Sequence, residues 1–114
     1  MGMPRLIVGI SGASGAIYGV RLLELLRPLA VETHLVMSRT AEITLAHETD
    51  RKLAAVRDLA DAWYPIDDLA AAPSSGSHGG LGMIVAPCSV RSMSEIATGL
   101  CANLLTRAAD VTLK

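Results

Sequence analysis

No phenylalanine occurs among the 114 residues, and the aromatic inventory stops at one tryptophan and two tyrosines. A core without rings has to be built from Ala, Val, Ile, Leu and Met. Neither sign of charge dominates: ten Lys and Arg against eleven Asp and Glu leave a formal net charge of −1. The chain therefore lacks the basic footprint of a nucleic-acid binder. The two cysteines, Cys88 and Cys101, have no CxxC spacing and no histidines at zinc-finger distance, so neither a metal site nor a disulfide framework is expected. The N-terminal apolar run is broken by glycines after a few residues, too early for a signal peptide or a membrane span. A cytoplasmic protein without membrane or nucleic-acid partners is the default expectation. What is present is aliphatic: 51% of residues are hydrophobic and 18% are charged. That excludes a disordered chain and suffices for one core, hence one domain.

Arg5–Ile10 is short, nearly continuous and rich in β-branched residues, as in a strand buried on both faces of a parallel sheet. It runs into the small, glycine-rich turn Ser11–Gly15. From Ala16 to about Leu29 the period turns helical, with Tyr18, Leu22, Leu25, Leu26 and Leu29 assigned to the inner face. A second strand is expected at Val31–Met37, then helices over Ala41–Glu48 and Arg51–Ala60, the latter capped by Asp50. Ala62–Ile66 is a weak strand candidate, and Pro73–Gly80 (PSSGSHGG) is a loop. Leu81–Ala86 is the third strong strand, broken by Pro87-Cys88-Ser89. Helices follow over about Val90–Gly99 and Asn103–Leu113.

Strand followed by helix, three times over, predicts an α/β doubly wound sheet. Right-handed crossovers bring the strand C-termini to one edge, where such sheets bind ligands. Three turns therefore become candidates: Ser11–Gly15, Ser38–Thr40 and Pro87–Ser92. Three strong strands are few for the helices they carry, so the chain is expected to be the front part of a longer domain.

The first turn carries the strongest local signal. Gly9, Gly12, Gly15 and Gly19 let backbone turn and approach closely. The following helix directs N–H groups into the turn, which favours an anion or polar ligand. Gly12–Ser14 is taken as a ligand loop, and Gly19, inside the helix, as a packing glycine. Glycines at this spacing also occur in NAD(P)-binding reductases. Those need an acidic ribose ligand after the second strand. Ser38-Arg39 stands there instead, and neither tyrosine begins a Tyr-x-x-x-Lys. Arg39 suits a 2′-phosphate at most.

The segment VGISGASGAIYG with Val20-Arg21-Leu22-Leu23 resembles the start of the flavin prenyltransferases of the UbiX type. So do His34–Ser38, Glu48-Thr49-Asp50, Ser75-Gly76-Ser77, Pro87-Cys88-Ser89 and Leu104–Asp110, all in family order. An older description of that family is aromatic-acid or phenylacrylic-acid decarboxylase. The resemblance implies a flavodoxin-like, Rossmann-like three-layer fold, apparently truncated, in which residues 1–114 form a single FMN-binding domain. It implies reduced FMN as prenyl acceptor, dimethylallyl phosphate as donor, and a fourth ring closed on the flavin at N5 and C6. A UbiD-type decarboxylase would receive the product cofactor, and the protein would be a homo-oligomer. FMN would be held by Gly12, Ala13 and Ser14, by Ser38, and by Ser89, Val90, Arg91 and Ser92. Ser14 and Glu48 would take part in the chemistry.

Family members continue with a further FMN arginine, a second glutamate, and Lys, Arg and Tyr residues for the donor phosphate. The alternatives are an FMN-binding subunit associated with aromatic-acid decarboxylation and a non-catalytic FMN-binding fragment. The related phosphopantothenoylcysteine decarboxylases are more remote, because their active-site His and Asn-rich motif have no clear counterpart. Without the resemblance, Glu48 reads as a solvated helix-end carboxylate and Ser14 as a helix cap. His34 reads as packed or edge-exposed, His47 as helix surface and His78 as a loop residue. Cys88 is expected as a small apolar filler, Cys101 in the core or an interface, and Met37, Met83 and Met93 in the core.

Overall fold

The computed structural model describes residues 3–71, 73 and 82–113. The loop expected over Pro73–Gly80 falls, Pro73 apart, outside that range, as do His78 and Leu81. In chain order the elements are β1 (Arg5–Ile10), α1 (Ala16–Leu26), β2 (Glu32–Met37), α2 (Arg39–Glu48), α3 (Leu53–Leu59), β3 (Ala62–Tyr64), β4 (Gly82–Val85), α4 (Val90–Thr98) and α5 (Leu104–Leu113).

The strands form one parallel sheet in the order β3-β2-β1-β4. The weak candidate thus becomes a real fourth strand at the outer edge, three residues long. Pro65, which offers no N–H to a ladder, follows it directly. Its entry is set by Asp61: the carboxylate accepts from Thr33 N at 2.7 Å, and Asp61 N donates to Thr33 O at 3.1 Å. Without β3, the order β2-β1-β4 is the front of the flavodoxin arrangement. β3 extends it in the manner of a dinucleotide-binding half.

Residue alternation along the strands divides the core into two. Leu6, Val8, Ile10, Leu35 and Met37 face α1, α2 and α3, where Ala16, Val20, Leu23, Ala41, Leu45 and Val56 meet them. Ile7 and Val36 face the other way, onto Leu104, Leu105 and Ala108 of α5. The result is the expected three layers, with β1 and β2 buried on both faces. That double burial is why their sequences lack polar alternation.

The inner face of α1 matches the expected one only in Leu22 and Leu26, which are partly buried against the core. Ala16, Gly19, Val20 and Leu23 are buried, whereas Tyr18 is 70% exposed and Leu25 63%. Ala16 and Gly19, beside Val20 and Leu23, let the helix lie close on the sheet. A Cβ on Gly19 would stand 2.5 Å from Ala86 O and 2.6 Å from Ile10 Cδ1, so this glycine is a packing glycine as expected. Leu29 lies past the end of the helix and is exposed.

α3 begins at Leu53 with Lys52, not Asp50, in the cap position, and no side chain caps it. α4 ends on Gly99 at φ 75°, where the left-handed backbone favours glycine. Met93 is exposed and Cys88 is also at the surface, against the core and filler roles expected of them. Both lie around the serine-rich turn before α4, where polar capping replaces apolar packing. His34 is buried, with Nδ1 2.9 Å from the Tyr64 hydroxyl and Nε2 2.6 Å from Glu32 Oε1. It is a packed, satisfied histidine tying β2 to β3.

Candidate functional site

The loops after β1, β2 and β4 meet at the carboxyl edge of the sheet. Chain direction changes there, since β2 and β4 flank β1 on opposite sides. Ligand crevices form at such points in open α/β sheets. Ser11, fully buried, joins the first and third loops. Its hydroxyl donates to Pro87 O at 2.8 Å and accepts from Ser89 N at 2.6 Å, while its own N–H donates to Pro87 O at 3.1 Å.

Ser38 caps α2 by accepting from Ala41 N at 3.0 Å, and Ser89 caps α4 by accepting from Ser92 N at 3.1 Å. Each hydroxyl also meets a neighbour: Ser38 with Thr40 Oγ1 at 3.1 Å, Ser89 with Ser92 Oγ at 3.0 Å. Between the two helix starts lies a cleft of about 270 Å³, lined by Ser38, Arg39, Thr40, Ser89, Arg91 and Ser92 on one part of its wall. Ile66, Asp67, Glu95 and Asn103 complete it. Of the expected flavin residues, Ser38, Ser89, Arg91 and Ser92 converge there. Val90 points its side chain to solvent, 76% exposed.

Gly12, Ala13 and Ser14 do not line the cleft. Gly12 is required by an internal contact: a Cβ there would collide with the Thr40 side chain, and its carbonyl accepts from Thr44 Oγ1 at 3.2 Å. The loop is thus held against α2. The N-terminus of α1 is also not open to an outside anion. Glu48, from the end of α2, places Oε1 2.9 Å from Gly15 N and 3.2 Å from Ala16 N, and Oε2 accepts from the Ser14 hydroxyl at 2.8 Å. The anion expected at this helix start is the chain's own carboxylate. Gly15, at φ 99°, takes the left-handed conformation that presents its N–H to Glu48.

Sequence reasoning brought Ser14 and Glu48 forward separately; the structure makes them a pair. The three donors hold the Glu48 carboxyl below its ordinary value, with Gly15 N–H the largest cause, then Ser14, then Ala16 N–H. It is therefore ionised at neutral pH and accepts, rather than donates, protons.

A pH dependence of stability follows. The folded state binds this proton less readily than the unfolded chain. The contribution is complete above the ordinary carboxylate value of 4.5 and is lost as pH falls through the lower folded value. Glu24, lowered first by its bond to Arg51, acts in the same direction. Thermal melts across the acid range should fall less steeply for Glu48→Gln than for the parent. An unchanged acid slope would refute the assignment.

Ile66, Asp67, Glu95 and Asn103 are cleft residues the sequence analysis did not assign. Arg39 and Thr40 belong to the candidate turn Ser38–Thr40, and Arg39 is also weighed there as a partner for a 2′-phosphate. Asp67, Glu95 and Asn103 had no local signal, because only the sheet order brings them to this edge. Asn103 also caps α5, accepting from Thr106 N at 3.0 Å. Among the described residues no group of His, Cys, Asp and Glu is arranged to hold a metal ion. No helix there is long and apolar enough to cross a membrane.

A parallel sheet with two serine-capped helix starts facing a crevice at its switch point is the ligand-site architecture of open α/β proteins. The chain belongs to the flavoprotein family, which matches residues 1–114. It is 58% identical over 113 residues to the flavin prenyltransferase UbiX of Escherichia coli K12, across 98% of this chain and 60% of that protein. Its fold superposes on the crystal structure of AnUbiX in complex with FMN and dimethylallyl pyrophosphate with a TM-score of 0.95. That match is 49% identical and covers 97% of this chain and 59% of the other. A dodecameric FMN-dependent UbiX-like decarboxylase from Escherichia coli O157:H7 gives a TM-score of 0.93 at 48% identity, over 96% of this chain and 60% of the other. The chain thus spans about 60% of the length of these relatives.

Proposed function

We propose that residues 1–114 are the flavin-binding portion of a flavin prenyltransferase. In this reading FMN occupies the crevice, dimethylallyl phosphate is the donor, and the prenylated flavin passes to a UbiD-type decarboxylase. The observation that carries the reading is the Glu48–Ser14 pair standing at the same sheet edge as a cleft lined with serines and arginines. The cleft fits a phosphate monoester. The first turn of α4 leaves the Val90 and Arg91 N–H groups outside the helical ladder. Three serine hydroxyls and two guanidinium groups line the same wall.

In this assignment Ser38, Ser89, Arg91 and Ser92 hold the phosphate end of FMN. Gly12 and Ala13 shape the turn beside it, and Val90 presents an apolar side chain to whatever lies over the start of α4. Bound reduced FMN supplies the electron-rich ring that accepts the prenyl group. Glu48 keeps Ser14 Oγ oriented by accepting its hydrogen bond, and in this reading Glu48 Oε2 is the atom that takes up a proton released nearby. Assembly as a homo-oligomer in the cytoplasm is part of the proposal. Support comes from apolar side chains left at the surface, Tyr18, Leu25, Val90 and Met93 among them.

The first test is ligand choice. Titration with FMN and with NADPH, followed by flavin fluorescence and calorimetry, should show saturable FMN binding and none for NADPH. The second strand ends on Ser38-Arg39, with no carboxylate for a ribose. Tight NADPH binding without FMN binding would overturn the reading.

A further inference from the structure

Both arginines on the cleft wall are already engaged, and by carboxylates that line the same cleft. Arg91 Nε donates to Glu95 Oε1 at 2.9 Å within α4, and Glu95 is only 8% exposed. Arg39, the first residue of α2, is bonded to Asp67, which follows β3 on the opposite wall. The two pairs differ in one respect. Glu95 is built into the underside of its helix, fixed beneath Arg91. Arg39 and Asp67 are both largely exposed, at 76% and 69% of their side chains. An exposed pair of this kind is worth little and exchanges readily.

From this we propose that Asp67 is an affinity- and specificity-determining residue of the cleft. It occupies Arg39 until a ligand carrying a phosphate dianion takes Arg39 over. The inference rests on the FMN reading above. A dianion entering between Ser38 and Ser89 attracts Arg39 and is repelled by the Asp67 carboxylate. Arg39 then turns from one wall of the cleft to its occupant. A neutral ligand has no such claim on Arg39 and leaves the pair closed. Asp67 thus lowers affinity for every phosphorylated ligand and leaves unphosphorylated ones alone. Glu95, by contrast, holds Arg91 by Nε, while the Arg91 side chain as a whole stays 86% exposed.

The test compares FMN with riboflavin, which has the same ring and no phosphate. Asp67→Asn keeps the shape and removes the charge. It should tighten FMN binding by roughly three- to tenfold and leave riboflavin within about twofold. The gain should shrink as salt is raised, because the site is open to solvent. In an Arg39→Gln background the same Asp67→Asn change should give a clearly smaller gain, since the competition for Arg39 is gone. Unchanged FMN affinity in Asp67→Asn, or an equal shift for riboflavin, would overturn the proposal. If the parent protein bound no FMN at all, the flavin reading itself would fail, which is a different result.

Discussion

In the complete protein that the proposed function implies, Glu48→Gln is expected to cut prenyl transfer by about 10²–10⁴-fold while FMN affinity stays within a few-fold of the parent. The two halves of that expectation have separate structural causes. The cleft assigned to the phosphate is lined by Ser38, Ser89, Arg91 and Ser92, and Glu48 is not part of it. Glutamine can still accept from the Gly15 and Ala16 N–H groups with its carbonyl oxygen. Its amide nitrogen, however, replaces the oxygen that accepts from Ser14, 2.8 Å away. The hydroxyl must then turn round and accept, so both the proton acceptor and the orientation of Ser14 are lost in one change. Ser14→Ala should be milder, because the carboxylate remains. Single-turnover formation of prenylated flavin, measured beside an FMN titration of the same variant, separates the effects. Parent rates in Glu48→Gln, or a collapse of FMN binding as its main defect, would show that the carboxylate only braces the turn.

The second large effect concerns stability. Gly19→Ala should destabilise the fold by about 1–3 kcal/mol, lowering the melting temperature by roughly 4 °C or more. The added Cβ meets a backbone atom, Ala86 O at 2.5 Å, which cannot rotate away, and Ile10 Cδ1 at 2.6 Å. Relief requires α1 to move off the sheet at the place where β1 and β4 deliver their loops. Gly82 provides the control. It lies at φ 136° with nothing within 4 Å of a Cβ, so Gly82→Ala meets conformational strain without collision. Thermal unfolding of both variants decides the matter. A Gly19→Ala protein that melts with the parent would mean that helix and sheet are less closely packed than the geometry requires.

These two residues also illustrate what the chain discloses before it folds. Strand β1 and the glycine turn are local patterns, and both stand where expected. So does Gly19, because a glycine inside a helical period has few reasons to be there other than close approach. The inner face of α1 did not follow from its pattern. Large residues such as Tyr18 and Leu25 mark a helical stripe as well as Ala16 and Val20 do. Only the short helix-to-sheet distance favours the small stripe. β3 was weakly marked, since three residues at an edge carry little periodicity and the Asp61–Thr33 clamp that sets it spans two separate segments.

For the site, the turns that carry Ser38 and Ser89 could be placed from sequence because each directly follows a strand. The Glu48 carboxylate could not be placed at Gly15 and Ala16. That contact joins residues more than thirty positions apart, and its separation of 33 and 32 leaves no trace in either local stretch. The same reason hid Asp67 opposite Arg39, 28 residues away.

The Ser11 hydrogen bonds bear on the order in which the molecule comes together. They reach Pro87 and Ser89 across 76 and 78 residues, so they close the largest loop described within this sheet edge. Contacts of such long range form late, after the entropy of closing the chain has been met. β1, α1, β2 and α2 can assemble first, and with them Glu48 and Ser14 meet. The wall bearing Ser89 and Arg91 arrives only when β4 docks beside β1. The Glu48–Ser14 contact is therefore expected to form early in folding and the cleft late. During refolding, recovery of flavin binding should lag behind recovery of helix, and it reports that the last strand has reached its place.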